Sequence, residues 1–245
     1  MLHNLIAQRA ASASTPAFLA AAAEIYPHQV RAALTVLSDP VQRYLLADEV
    51  GLGKTIQAGY VVLQTLIDNP QARVVILTPD SLRRQWVSEL RTKFFTDDFP
   101  RRVKIASHDS PEKWEQHRGS DLVVVDEAHL LVQDRDDTDP IYRALCDLVH
   151  PASKVLLLSA TPVTSSHTTH LGLLHLLEPN VYKWSERRRS RSGTTTVRSW
   201  RTTSSVSTRN STNCCLPRLT SSKGAARGGQ QVRGPGRSSA QSPRR

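Results

Sequence analysis

The residues best suited to chemistry in this chain are Lys54 and Thr55, at the end of Asp48-Glu49-Val50-Gly51-Leu52-Gly53-Lys54-Thr55, and Asp126 and Glu127, in Asp126-Glu127-Ala128-His129. An apolar run precedes each segment. Backbone N–H groups of Val50–Lys54 can point inward at a phosphate. Gly51 and Gly53 have no Cβ, so the backbone can approach closely and adopt positive φ. A helix starting near Lys54 directs its positive end at the same anion. Lys54 would neutralise β- and γ-phosphate charge, and the Thr55 hydroxyl would ligate Mg²⁺. A strict phosphate-loop pattern has Gly at position 48, where this chain has Asp48. Even so, the preceding strand and the Lys-Thr pair favour a nucleotide over a bare Gly-rich helix start.

Asp126 and Glu127 extend this chemistry. A carboxylate at the end of a buried strand is held rigidly, so Asp126 would bind Mg²⁺ through water, with Glu127 polarising the attacking water as general base. An acidic pair capping a surface loop is the bland alternative, and the upstream Gly-rich segment argues against it. His129 follows three residues after Asp126. Ser159 and Thr161 end another apolar run, and their hydroxyls could bond the acidic segment and relay nucleotide state. The acidic group Asp134, Asp136, Asp137 and Asp139 lacks the Gly and the closing Glu of a calcium loop and reads as solvated.

These residues need elements to hold them. Arg43–Ala47 reads as a short strand entering the Gly turn and Thr55–Ile67 as the helix leaving it. Val74–Leu77 and Leu122–Val125 are continuous apolar runs, as strands buried on both faces would be. Val155–Leu158 is a further strong strand, and Val103–Ala106 a weaker one. Residues 17–37 read as helical with an interruption near Pro27. Asp80-Ser81 reads as the cap of a helix carrying Leu82, Trp86, Leu90 and Phe94 on one face. Ile141–Val149 and His167–Leu177 complete the set. Strands alternating with helices predict an α/β fold with a central parallel sheet flanked by helices. The chemical residues then fall at carboxyl ends of strands, where open α/β sheets bind ligands.

Composition divides the chain. Residues 1–185 hold 18 Lys+Arg and 21 Asp+Glu, whereas residues 186–245 hold 14 Lys+Arg and one acid, Glu186. The net charge of +10 therefore belongs to the last quarter. That stretch contains 20 Ser/Thr and few apolar residues, too few to offset chain entropy, and it reads as a disordered basic tail. It could bind nucleic-acid phosphates or act as a linker. Its abrupt onset best fits out-of-frame translation of a GC-rich gene. The three cysteines, Cys146, Cys214 and Cys215, show no metal-ligand spacing and suit a reducing, cytoplasmic setting. No apolar run is long enough to span a bilayer, so no membrane is expected.

The order DEVGLGKT, LTP, DEAH, SATP resembles the first motor lobe of superfamily 2 helicases and translocases. The stretches LLADEVGLGKTIQAG and VVVDEAHLL resemble the RapA-like branch of the Swi/Snf group. This resemblance covers residues 24–184. Residues 1–23 are read as a lead-in helix and residues 185–245 as the tail. The resemblance implies a RecA-like lobe with ATP and Mg²⁺ as cofactors, and nucleotide contacts from Asp48, Glu49, Val50, Gly51, Leu52, Gly53, Lys54 and Thr55. It implies that Gln29 reads adenine, that Thr78 and Pro79 contact the nucleic-acid backbone, and that His129 couples to the γ-phosphate. It implies nucleic acid as partner, duplex DNA ahead of RNA, within a larger transcription or defence assembly. The family motor has two lobes, and nothing after Trp184 resembles the second. The expectation is an ATP-binding lobe that hydrolyses weakly by itself. The alternatives are a non-catalytic nucleotide- or DNA-binding fragment and an RNA helicase lobe.

Overall fold

The computed structural model describes residues 15–47, 51–160 and 167–184. These lie in one compact unit, Met1–Val206; a second unit, Ser207–Arg245, falls outside the described residues. Asp48, Glu49, Val50, Thr161 and the basic tail also fall outside them.

Five parallel strands form one sheet in the order β1-β5-β4-β2-β3. They are β1 (Arg43–Ala47), β2 (Val74–Thr78), β3 (Val103–Ser107), β4 (Leu122–Val125) and β5 (Lys154–Ser159). Every residue of β2 and β4 is buried, as the continuous Val/Leu/Ile runs require for strands covered on both faces. Side-chain alternation sorts each strand between two apolar layers. Tyr44, Leu46, Val74, Ile76, Leu122, Val124, Leu156 and Leu158 face one layer. Leu45, Val75, Leu77, Val123, Val125, Val155 and Leu157 face the other.

The first layer is covered by α1 (Ala17–Ala20), α2 (Pro27–Ser38), α3 (Lys54–Asp68) and α4 (Asp80–Phe94). Phe18 of α1 packs against Tyr60 of α3 with ring centroids 4.5 Å apart and planes tilted by 40°. Residues 17–23, expected as a lead-in, thus contribute Ala17, Phe18 and Ala23 to this core. Gly59 of α3 leaves room for the Phe94 ring, which a Cβ there would overlap. Trp86, Leu90 and Phe94 are buried along one stripe of α4, as their four-residue spacing predicts.

The second layer is covered by a 3₁₀ segment (Pro111–His117), α5 (Ala128–Val132), α6 (Pro140–Val149) and α7 (His167–Leu177). The Arg43 guanidinium fastens the ends of α6 and α7. It donates to the carbonyls of Ala152 (2.6 Å), Leu177 (2.8 Å), Leu176 (3.0 Å) and Val149 (3.3 Å). A cation there satisfies carbonyls that end without helical partners and offsets the negative helix ends.

Three local expectations are corrected. Pro27 opens α2 instead of interrupting a longer helix, because a first-turn proline loses no helical hydrogen bond. Asp80 lies inside α4, which starts without a side-chain cap. The acidic loop is more than solvated: Asp139 caps α6 by accepting from the N–H groups of Ile141 (2.9 Å) and Tyr142 (3.0 Å).

Candidate functional site

The strand register gathers the chemical residues at one edge of the sheet. β1 pairs with β5 so that Ala47, just before the Gly-rich turn, lies opposite Ser159. β5 pairs with β4 so that Leu157 lies opposite Val125, the residue before Asp126. The carboxyl ends of β1, β5 and β4 are therefore adjacent, with the turn, Ser159 and Asp126 at their tips.

The described part of the turn runs from Gly51 into α3. Gly51 and Gly53 have φ of 88° and 81°, the left-handed region that favours glycine. Gly53 is the N-terminal flanking residue of α3, and no side chain caps that terminus. A Cβ at Gly53 would also overlap the Gln29 carboxamide. Gln29, 6% exposed, donates from Nε2 to the Leu52 carbonyl at 3.2 Å. His28 places Nε2 3.3 Å from the same oxygen. Gln29 Oε1 is buried with no hydrogen-bond partner among the described residues. Lys54 is 9% exposed, and Thr55 beside it is half-buried.

Asp126 is 6% exposed. Its Oδ2 accepts from the Trp86 indole N–H at 2.7 Å and from the Thr78 hydroxyl at 3.5 Å. Its Oδ1 accepts from the Glu127 N–H at 3.0 Å. Burial raises the Asp126 pKa above the ordinary carboxylate value. The Trp86 bond opposes that rise, the Glu127 charge adds to it, and the Glu127 N–H and the Lys54 charge oppose it. Lys54 and Asp126 are thus electrostatic neighbours across the strand ends.

Glu127 has φ 45° and ψ 45°, a left-handed conformation uncommon for a residue with a side chain. Its Oε2 accepts from the Ala160 N–H at 3.3 Å and lies 3.4 Å from His129 Nδ1. That same nitrogen lies 3.1 Å from Ser159 Oγ. Glu127, His129, Ser159 and the Ala160 backbone form one hydrogen-bonded cluster joining the end of β4 to the end of β5.

Thr78 is fully buried with its hydroxyl on Asp126, whereas Pro79 is half-buried. Through that hydroxyl Thr78 helps support the Asp126 carboxylate. His108, just beyond β3, is a residue that sequence reasoning passed over. Its N–H donates to the Thr78 carbonyl at 3.0 Å, and its ring is buried. Burial lowers its pKa to about 4, against weaker opposing effects from the Leu77 backbone, Asp109 and the Asp126 backbone. Trp86 was also missed, having been assigned only to an apolar stripe. No local signal pointed to it, because Asp126 lies 40 residues away.

Comparison with known proteins finds similar sequences and folds. Residues 28–120 match the SNF2-related domain. The chain is similar to the RNA polymerase-associated protein RapA of Pectobacterium atrosepticum, 36% identical over 185 residues, covering 65% of this chain and 19% of that protein. It is also similar to RapA of Pseudomonas fluorescens, 36% identical over 178 residues, covering 63% and 19%. The chain thus spans about a fifth of the length of these curated relatives. Its fold is similar to the Sulfolobus solfataricus SWI2/SNF2 ATPase core in complex with dsDNA, with a TM-score of 0.58 at 20% identity, covering 69% of this chain and 39% of that one. The core domain of that ATPase gives a TM-score of 0.59 at 17% identity, covering 69% and 38%.

Proposed function

We propose that this chain, whose sequence and fold are similar to Swi/Snf-type proteins, is an N-terminal superfamily 2 motor lobe that binds ATP with Mg²⁺ as one half of a nucleic-acid-dependent ATPase. The observation that carries this reading is the register that puts the Gly-rich turn, Asp126 and the Glu127–His129–Ser159 cluster on three neighbouring strand ends.

The residues present fit the nucleotide. The uncapped start of α3, the positive φ of Gly51 and Gly53 and the neighbouring Lys54 suit a polyphosphate. The orphaned Gln29 Oε1 suits a buried donor such as the adenine amino group. A buried carboxylate whose pKa is raised suits a hydrated divalent cation, which would favour its ionised form. When bound, Mg²⁺ and ATP supply the phosphoanhydride to be cleaved and the charge that activates it. Lys54 would balance phosphate charge, while Thr55 and Asp126 would hold the cation and its water. Glu127 takes the proton of the attacking water. Its Oε2 is engaged by Ala160 and His129, so we assign the proton to Oε1. His129 and Ser159 carry the state of Glu127 to the end of β5.

These residues leave the charge on the transferring phosphoryl group without an arginine from a facing lobe. Such an arginine is worth roughly 10³–10⁵ in rate in related NTPases. The proposal therefore expects slow hydrolysis by this lobe until a facing lobe joins it. The S. solfataricus core was solved with dsDNA, and the RapA relatives are named as RNA polymerase-associated. The first favours duplex DNA over RNA as the track, and the second favours a polymerase-type assembly as partner. Among the described residues no helix is long and apolar enough to cross a membrane. A cytoplasmic place of action belongs to the same reading.

The test is ATP hydrolysis by the purified chain, alone and supplemented with a second lobe taken from a RapA relative, with duplex DNA or duplex RNA. The reading expects slow turnover alone and DNA-selective stimulation with the second lobe. Vigorous DNA-stimulated turnover by the chain alone would refute the dependence on a second lobe. RNA-selective stimulation would favour an RNA helicase, and nucleotide binding without turnover in any combination would favour a non-catalytic fragment.

A further inference from the structure

On the layer away from α1–α4, a second set of chemically capable side chains comes together. Cys146 lies on α6, and His150 follows at its carboxyl end, four residues on, which puts the two side chains on one helical face. His175, on α7, meets them. One donor atom from each residue, the Cys146 thiol and a ring nitrogen of each histidine, lies within 4.8 Å of the other two. Cys146 Sγ is 3.9 Å from His175 Nδ1. The two imidazoles meet nearly edge to face, with centroids 5.1 Å apart and planes at 79°. All three residues are half-buried.

We propose that Cys146, His150 and His175 form a binding site for a divalent transition-metal ion of the zinc type, with three protein ligands and one position left for water. The donor set selects the class. One thiolate and two imidazoles suit Zn²⁺ and its neighbours and do not suit Mg²⁺ or Ca²⁺, which take oxygen ligands. The site therefore does not compete for the Mg²⁺ expected beside Asp126. Distances agree with a small closure. Tetrahedral Zn–S and Zn–N bonds of about 2.3 and 2.0–2.1 Å set ligand atoms roughly 3.3–3.6 Å apart. Gathering three atoms that already lie within 4.8 Å needs shifts of at most about 1.5 Å, within reach of side-chain rotation.

A backbone partner orients the His150 ring as outer partners do around bound metals. His150 Nε2 lies 3.2 Å from the His175 carbonyl, which can only accept, so Nε2 carries the proton and Nδ1 the lone pair. The Tyr142 hydroxyl donates to the Gly172 carbonyl at 3.0 Å and lies 2.9 Å from His175 Nδ1. Having spent its one proton on Gly172, that hydroxyl accepts from His175 Nδ1–H. Ligation through Nδ1 moves this proton to Nε2, with no net change on the ring. The thiol loses its proton to solvent as the S–metal bond forms, so one proton is released per ion bound. Arg43 already holds the ends of α6 and α7 on shared carbonyls, which keeps the three ligands in place before the ion arrives. The ion would tie α6 to α7. These two helices follow the Asp126–His129 and Ser159–Ala160 segments respectively in the chain.

Cobalt(II) is the probe, followed by displacement with Zn²⁺. The full chain is used without an affinity tag and with Cys214→Ser and Cys215→Ser, so that Cys146 is the only thiol. The expected result is one equivalent of Co²⁺, a thiolate-to-cobalt charge-transfer band in the near ultraviolet, bleaching on addition of Zn²⁺, and a raised Tm. Cys146→Ser should abolish the band, and His175→Gln should weaken binding at least about 10-fold, both with unchanged far-ultraviolet circular dichroism. Lys54→Ala should leave the spectrum unchanged, because the site is independent of the nucleotide reading. No charge-transfer band in the parent, or a band that survives Cys146→Ser, overturns the proposal. If Cys146→Ser does not fold, undiminished Co²⁺ affinity in His175→Gln overturns it equally.

Discussion

Replacing Trp86 by Phe tests how Asp126 is held. The indole N–H donates to Asp126 Oδ2 at 2.7 Å from a side chain 1% exposed, so water cannot replace it. A hydrogen bond to a charged group contributes about 1.5–3 kcal/mol. The Asp126 pKa, already raised by burial, should therefore rise further in Trp86→Phe. For a domain of this size the loss corresponds to a fall in Tm of roughly 3–12 °C. The smaller ring also leaves a void, but that cost does not depend on pH. The hydrogen bond does, because it is charge-assisted only while Asp126 is ionised. Melting curves of both proteins across an acid-to-neutral pH series separate the two contributions. The Tm gap should be small where Asp126 is protonated and widen as pH rises through its titration. Within each protein, a folded carboxyl pKa above the unfolded value of 3.8 means that Asp126 itself stabilises less as pH rises through that window. A gap independent of pH, or no gap, would refute the role given to Trp86.

Three further outcomes follow from local geometry. Gly59→Ala places a Cβ into the Phe94 ring, and the resulting overpacking of about 1–3 kcal/mol should exceed the helix-propensity gain of about 1 kcal/mol, lowering the urea midpoint. The His108 pKa falls from 6.5 to about 4 on folding, so its contribution is complete above pH 6.5 and about 3 kcal/mol is lost as pH falls to 4. His108→Asn should flatten the stability-versus-pH slope in that window, while His150 and His175, also lowered by burial, keep a residual slope of the same sign. Asp139→Ala removes the cap of α6 and should cost about 0.5–2 kcal/mol in chemical denaturation.

The sheet was legible because its strands are continuous apolar runs. Val74–Leu77 and Leu122–Val125 need no partner information to read as buried on both faces, and their neighbours fell into place around them. The Gly-rich turn and Asp126-Glu127 were legible because glycine placement and strand-end acids are local patterns. What could not be read depends on pairs distant in sequence. Trp86 lies 40 residues from the carboxylate it supports, and Arg43 lies more than 100 from the carbonyls it holds. Cys146 looked isolated because His175 is 29 residues away and a helix–helix contact leaves no linear spacing. The Thr78 hydroxyl, which turns inward to Asp126 48 residues away, was hidden for the same reason.

The central claim is that the Gly-rich turn and Asp126 hold Mg²⁺ and ATP. Equilibrium binding of a fluorescent ATP analogue to the full chain, with and without Mg²⁺, tests it most directly. Saturable, Mg²⁺-dependent binding is expected. Lys54→Ala should weaken it roughly 10–150-fold, the equivalent of one charge-assisted contact of about 1.5–3 kcal/mol. Binding of equal affinity in Lys54→Ala, or no Mg²⁺-dependent binding by the parent chain, would contradict the claim.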